Sequence, residues 1–197
     1  MINPETFLKE LLFLVMLINP ISKVAVVPML INNKDELHEI VIKSTLFGGA
    51  FLILFAFMGR IILDYVFHLD LNALMVAGGI VIFYFGFQAL RRGMFFEMDR
   101  SKKVMELAIV PLASPLIAGP ATITVAIYNS AAYTPLYSAI IVTIAVAINF
   151  VAMYFSPAIS KALNKFNLTG AFIRIMGLFV ASIGINMVMD GLRNFFF

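Results

Sequence analysis

The chain contains no cysteine, which excludes disulfides, thiolate metal sites and a cysteine nucleophile. Charge is scarce as well: 13% of the 197 residues are Asp, Glu, Lys or Arg, against about 25% in a soluble domain. The missing charge is replaced by apolar residues, at 62% of the chain. One water-soluble core built from them would leave too little polar surface to cover it, whereas long apolar blocks suit a bilayer as solvent. The net charge of +3 is small and sits in loops, so it argues for membrane topology and against nucleic acid as a partner. No basic stretch opens the sequence and no small-residue cleavage site follows its first apolar run, so that run is expected to belong to the mature protein.

About 20 apolar residues span hydrocarbon as a helix. Six stretches qualify, near residues 7–31, 42–63, 71–91, 105–128, 136–157 and 170–192. Asn3-Pro4-Glu5 is suited to start the first, with Asn3 as cap and Pro4 in the opening turn. Gly191 is placed to close the sixth. Lys34, Lys43, Arg91, Arg92, Arg100, Lys102, Lys103, Lys161 and Lys165 fall in the first, third and fifth connections. Only Lys9, Arg60 and Arg193 fall on the opposite side. The positive-inside rule therefore puts those three connections in the cytoplasm and both termini outside. A multi-pass protein of the cytoplasmic (inner) membrane follows as the expectation.

The sequence also repeats itself. Gly79-x6-Gly86-Phe87-Gln88 aligns without gaps to Gly177-x6-Gly184-Ile185-Asn186, 98 residues on, and Asn19-Pro20 aligns to Ser114-Pro115, 95 residues on. A duplicated unit with three spans must insert the second time from the other side. The expected fold is therefore all-α: one transmembrane domain of six helices, as two inverted repeats of three, about 1–95 and 104–197. That plan is common among secondary transporters.

Proline inside a helix removes a backbone donor and frees carbonyls, which lipid tolerates only against protein or a water-filled cavity. Asn19-Pro20 and Ser114-Pro115 lie near the middle of the first and fourth spans, and Gly119-Pro120 is a second weakness in the fourth. A lone proline reads as a kink, but a matched pair flanked by polar groups reads as a binding site. Such breaks present amides to a carboxylate and carbonyls to an ammonium group, so a small zwitterion is a natural guest. The expected substrate-binding residues are Asn19, Pro20, Ser22, Ser114, Pro115, Gly119 and Thr122, with no cofactor. Lys23 is the lysine well inside a span. It is read as a coupling residue or carboxylate partner, or, the reading preferred here, as a snorkelling or inner-vestibule residue. Asp64 and Asp70 are expected to be solvated, and Asp190 to cap its helix or pair with Arg193. Gln88, Asn149 and Asn186 are expected to bond between helices. His38 and His68 are placed in opposite loops, without metal partners.

These residues resemble the MarC family of integral membrane proteins over nearly the whole chain. The resemblance rests on Asn19-Pro20-Ile21, on the run from Pro111 through Pro120 (Pro-Leu-Ala-Ser-Pro-Leu-Ile-Ala-Gly-Pro), and on the glycine-spaced third and sixth spans. It implies six helices and, from characterised members, export of small neutral amino acids such as glycine and alanine. The antibiotic resistance in the family's name is not carried over as drug efflux. Ser22 stands where members usually have glycine, Ser114 where an apolar residue is expected, and Ala121 where glycine is frequent. The resulting expectation is a secondary transporter, not an enzyme, working by alternating access with protons or another ion as coupling partner. A channel, an efflux protein for another solute and a membrane enzyme are the rivals. The enzyme lacks a His, Asp or Glu cluster at the membrane surface.

Overall fold

The computed structural model describes residues 3–30, 33–62, 70–93, 117–165 and 169–196, together with 65, 68 and 112–114. The basic residues Arg100, Lys102 and Lys103, the acidic Asp64, and Pro111 and Pro115 lie outside the described residues. Eight α-helices and no strands occur among the described residues. They are α1 (Pro4–Ile18), α2 (Pro20–Leu30), α3 (Lys34–Ile61), α4 (Leu71–Arg92), α5 (Pro120–Ala132), α6 (Pro135–Tyr154), α7 (Ser156–Lys165) and α8 (Thr169–Phe196).

Four of them, α3, α4, α6 and α8, are long and apolar enough to cross a membrane. Their starts follow the local chemistry. Asn33 caps α3 by accepting from Asp35 N at 3.1 Å, and Asp70 caps α4 by accepting from Asn72 N at 2.6 Å. Thr134 caps α6 through Tyr137 N at 3.1 Å, with Pro135 in the first turn. The Asn3-Pro4 start of α1 is as expected, Asn3 accepting from Glu5 N at 3.1 Å. α3 begins at Lys34, eight residues before the expected boundary, because the Asn33 cap and the acidic Asp35 and Glu36 favour an early start. His38 therefore lies in a helix and not in a loop, its ring stacked on Tyr154 at 4.4 Å.

The first expected span is two helices, and α1 (15 residues) and α2 (11 residues) are each too short to cross alone. Leu14 and Ile18 of α1, Val27 of α2, Ile40 and Val41 of α3, Val125 of α5, and Ile141, Val142 and Met153 of α6 share one core. Large apolar side chains such as Leu46, Phe51, Phe57, Tyr84, Phe87, Leu178, Phe179 and Met189 point outward. So large an apolar exterior suits lipid and would be unstable in water.

α4 and α8 make the most extensive helix contact of the fold, and glycine is the reason. A Cβ on Gly79 would lie 2.6 Å from Gly184 O, and one on Gly86 would lie 2.7 Å from Gly177 O. Rising numbers on α4 meet falling numbers on α8, so the pair is antiparallel with backbone against backbone. The sequence offset equates Gly79 with Gly177 and Gly86 with Gly184. Exchanging equivalents maps each of the two contacts onto the other, the signature of a two-fold relation between these helices. Gly191, expected to end the last helix, instead lies within α8 and receives α4. A Cβ there would meet Asn72 O at 2.9 Å, and the helix continues to Phe196.

α5 and α6 are joined by a buried hydrogen bond from Ser138 Oγ to Ala126 O, 2.6 Å. Ser138→Ala removes its donor, while the carbonyl keeps a lone pair for its own helix. The expected cost is about 1 kcal/mol, read as a fall of a few degrees in thermal unfolding in detergent.

Candidate functional site

The first interruption is built by four choices of residue within five positions. Asn19 adopts φ 53°, a left-handed conformation that asparagine tolerates, and its N–H still closes α1 on Val15 O at 2.9 Å. Pro20 has no N–H and so cannot continue α1. Asn19 Oδ1 then accepts from Ser22 N at 3.1 Å and caps the start of α2, while Ser22 Oγ donates to Asn19 O at 2.8 Å. Ser22 N is the group that an unbroken helix would aim at Ile18 O. Lys23 takes its place: the ammonium donates to Ile18 O, and the side chain is 0% exposed. Lys23 therefore does not snorkel to the interface but stays inside the fold. The unsatisfied carbonyl at the end of α1 lies within reach and holds it inside.

The second interruption is chemically parallel. Residues 112–114 and 117 wind as π-helical turns, closed by Ala118 N donating to Ala113 O at 2.8 Å. Gly119 then caps α5 in extended conformation, and Pro120 occupies the first turn. Thr122 Oγ1 accepts from Gly119 N at 2.9 Å and directs its one hydrogen toward Ile117 O at 2.8 Å or Gly119 O at 3.0 Å. Asn19-Pro20-x-Ser22 and Gly119-Pro120-x-Thr122 are thus the same clasp, a hydroxyl folded back onto the residue before proline. The local geometry pairs Pro20 with Pro120. The pairing expected from sequence was with Pro115, which lies outside the described residues.

The expected residues consequently fall into two groups. Asn19, Pro20, Ser22 and Lys23 meet at the first break, and Gly119 and Thr122 at the second, each set closing within its own break. Ser114 is exposed. The hydroxyls of Ser22 and Thr122 are committed to backbone, so any guest at these breaks meets mainly peptide groups. Gly119 offers no side chain to cap the first amides of α5, which leaves that helix start suited to an anion.

A cavity of about 530 Å³ leads toward the second break from the face that carries both chain ends. Glu10, Asp70, Asp190 and Lys9 stand at its mouth, and Thr124, Val125 and Tyr128 of α5 line its wall. Thr124 also donates to Pro120 O at 2.8 Å, so the cavity reaches within one helical turn of the break. Lys9 pairs with Glu5 at 2.7 Å, both largely exposed, so the mouth stays acidic. One turn beyond Val125, Asn129 is 1% exposed with neither amide atom bonded among the described residues.

Sequence reasoning missed this vestibule because it treated its acids one at a time. Asp70 caps α4 and also faces the cavity. Asp190 accepts from Asn186 at 2.9 Å, which replaces the expected cap or Arg193 pairing. The part of it open to reasoning was topological: Asp70 begins α4 and Asp190 lies near the end of α8, which the antiparallel packing brings together, while Glu10 lies within α1. Asn186, bonded within α8, and Asn149, whose amide donates to Met153 Sδ at 3.0 Å within α6, are not the interhelical bonds expected of them. Each has an acceptor one turn away on its own helix.

The fold is that of a polytopic helical integral membrane protein, with four long apolar helices and a capped break between α1 and α2. The chain belongs to the MarC family of integral membrane proteins, whose family model matches residues 5–196. It is 38% identical to the UPF0056 membrane protein PH0214 of Pyrococcus horikoshii, over 95% of this chain and 93% of that one. It is 32% identical to the UPF0056 membrane protein YvbG of Bacillus subtilis over 75% of each chain. With a UPF0056 membrane protein of Aquifex aeolicus it shares 27% identity over 95% of this chain and 92% of that one. No solved structure matches the chain.

Proposed function

We propose that this protein is a secondary transporter of small neutral amino acids, exporting glycine- or alanine-sized substrates by alternating access around its two breaks. The observation that carries the reading is the cavity of about 530 Å³ whose lining includes Thr124, one turn from a proline-broken helix start. Its volume is in the range of small-molecule sites. The acidic mouth attracts an ammonium group, and the uncapped amides of α5 suit a carboxylate. A zwitterion satisfies both, whereas a large apolar solute would leave them unpaired.

In this reading the chain makes six spans in two inverted halves. α1–α2, α3 and α4 form the first, and the segment ending in α5, with α6 and α8, forms the second. The exchangeable glycine contacts of α4 and α8 and the matched clasps support it. Both termini face the outside of the cytoplasmic membrane, with the basic connections inside. Protons or another ion supply the driving force.

The test is counterflow of radiolabelled alanine in proteoliposomes. Ser114→Ala and Asn19→Gly are expected to cut exchange at least tenfold while unfolding within about 2 °C of the parent. Glycine is the right replacement at residue 19, because φ 53° would strain alanine there. Normal exchange by both variants would remove these residues from the site. An absence of counterflow with glycine, alanine and serine in the parent protein would sink the amino-acid reading. Single-channel currents in a planar bilayer would replace the carrier by a pore.

A further inference from the structure

Among the described residues, Lys23 is the largest side chain that the fold encloses completely. The lysine–carboxylate pairs among the described residues lie elsewhere, Lys9 with Glu5 and Lys43 with Glu39. A buried ammonium without a carboxylate persists only where oxygens with open lone pairs surround it. The end of α1 supplies such oxygens. Pro20 has no N–H to offer Met16 O, and Ser22 N has turned to Asn19 Oδ1, so the last carbonyls of α1 are left open. They carry the negative end of the helix dipole, and the Lys23 ammonium donates to the last of them, Ile18 O.

We infer that the carbonyl end of α1, formed by Ile18 O with Asn19 and Ser22 beside it, is a binding site for a primary ammonium group, which Lys23 fills as a tethered occupant. The placement of Lys23 accounts for both halves of the geometry. The ammonium gains an acceptor it could not find in lipid, and the broken helix gains a cation it would otherwise lack. The consequence for transport rests on the reading above. A substrate ammonium takes this position when it displaces Lys23, and Lys23 returns when the substrate leaves. The break is then never without a cation, so the unloaded carrier can reorient without carrying a free one.

Chemical rescue tests the site without reference to transport. Lys23→Ala deletes a propylammonium-sized group, so n-propylammonium chloride is the probe, with tetramethylammonium chloride at equal ionic strength as the control lacking N–H donors. At roughly tenfold excess over its Kd, propylammonium should raise the melting temperature of the variant by about 3 °C or more, by mass action. The parent protein, whose site is filled, should not respond, and tetramethylammonium should stabilise neither. Equal responses of variant and parent, or no response of the variant, would overturn the site. Should Lys23→Ala fail to fold, Lys23→Met with ammonium chloride carries the same comparison, because methionine keeps the buried stem and lacks only the terminal nitrogen. In proteoliposomes Lys23→Ala should lower net alanine efflux at least tenfold more than it lowers alanine exchange. Rescue by propylammonium in a protein that moves no amino acid would keep the cation site and remove the transport reading.

Discussion

Replacing Gly86 with alanine is expected to destabilise the protein by about 3 kcal/mol, and replacing it with valine to prevent recovery of folded protein. A Cβ at residue 86 would lie 2.3 Å from Ala181 N and 2.7 Å from Gly177 O. Both are backbone atoms of a helix, so relief requires α4 and α8 to separate, and separation loosens the whole glycine seam. Overpacking usually costs about 1–3 kcal/mol when side chains can give way; here no flexible side chain is in the way, which puts the cost at the upper end. Gly184→Ala should behave alike, since its Cβ would lie 2.5 Å from Phe83 N. Gly170 is the internal control: a Cβ there meets nothing within 4 Å. Gly170→Ala should be neutral or stabilising by up to about 1 kcal/mol through helix propensity. Thermal unfolding in detergent separates the cases, with a fall of roughly 6–12 °C for Gly86→Ala at about 2–4 °C per kcal/mol. Equal effects at residues 86 and 170 would mean that the glycines do not set the approach of the two helices.

The same glycines show how far the sequence could be read. The spacing of Gly79 and Gly86 against Gly177 and Gly184 was visible as a repeat, but that α4 and α8 meet along these glycines is shown by the structure. Apolar length located the long helices α4, α6 and α8 to within a few residues, because hydrocarbon thickness is a strong constraint. The break at Asn19-Pro20 was legible for a local reason: proline cannot donate and asparagine accepts the left-handed turn. What could not be read depends on where freed groups find partners. Lys23 looked able to reach the interface, and only the three-dimensional turn at Asn19 shows a carbonyl close enough to hold it inside. The fourth span offered two prolines five residues apart, and spacing alone favoured Pro115. The hydroxyl of Thr122, folded back onto Gly119, makes the turn at Pro120 locally like the turn at Pro20, while Pro115 lies outside the described residues. The acidic vestibule escaped notice because its acids come from three helices distant in sequence.

Thr122→Val should be the most damaging isosteric change in either break, costing about 3 kcal/mol and lowering alanine exchange at least tenfold. Valine fills the same space, so packing is preserved and the difference reports the hydroxyl. That hydroxyl is the partner of Gly119 N at 2.9 Å and donates to Ile117 O or Gly119 O, in a position where Thr122 is 3% exposed. Its removal leaves the buried Gly119 N–H unpaired, and Ile117 O loses its donor too, at about 1–3 kcal/mol for each group, whereas Gly119 O keeps Ile123 N at 2.9 Å. Ser22→Ala at the first break should cost less, about 1 kcal/mol. The Ser22 hydroxyl serves a single acceptor, Asn19 O, and the cap from Asn19 Oδ1 to Ser22 N survives the change. Thr122→Ser should recover most of both stability and exchange, because it restores the hydroxyl and loses only a methyl. If Thr122→Val unfolds and transports like the parent while Thr122→Ser does not, the hydroxyl clasp is irrelevant and the methyl group holds the break. If the valine variant loses stability but keeps full exchange, the clasp supports the fold alone, and the amide end of α5 is not where the substrate is held.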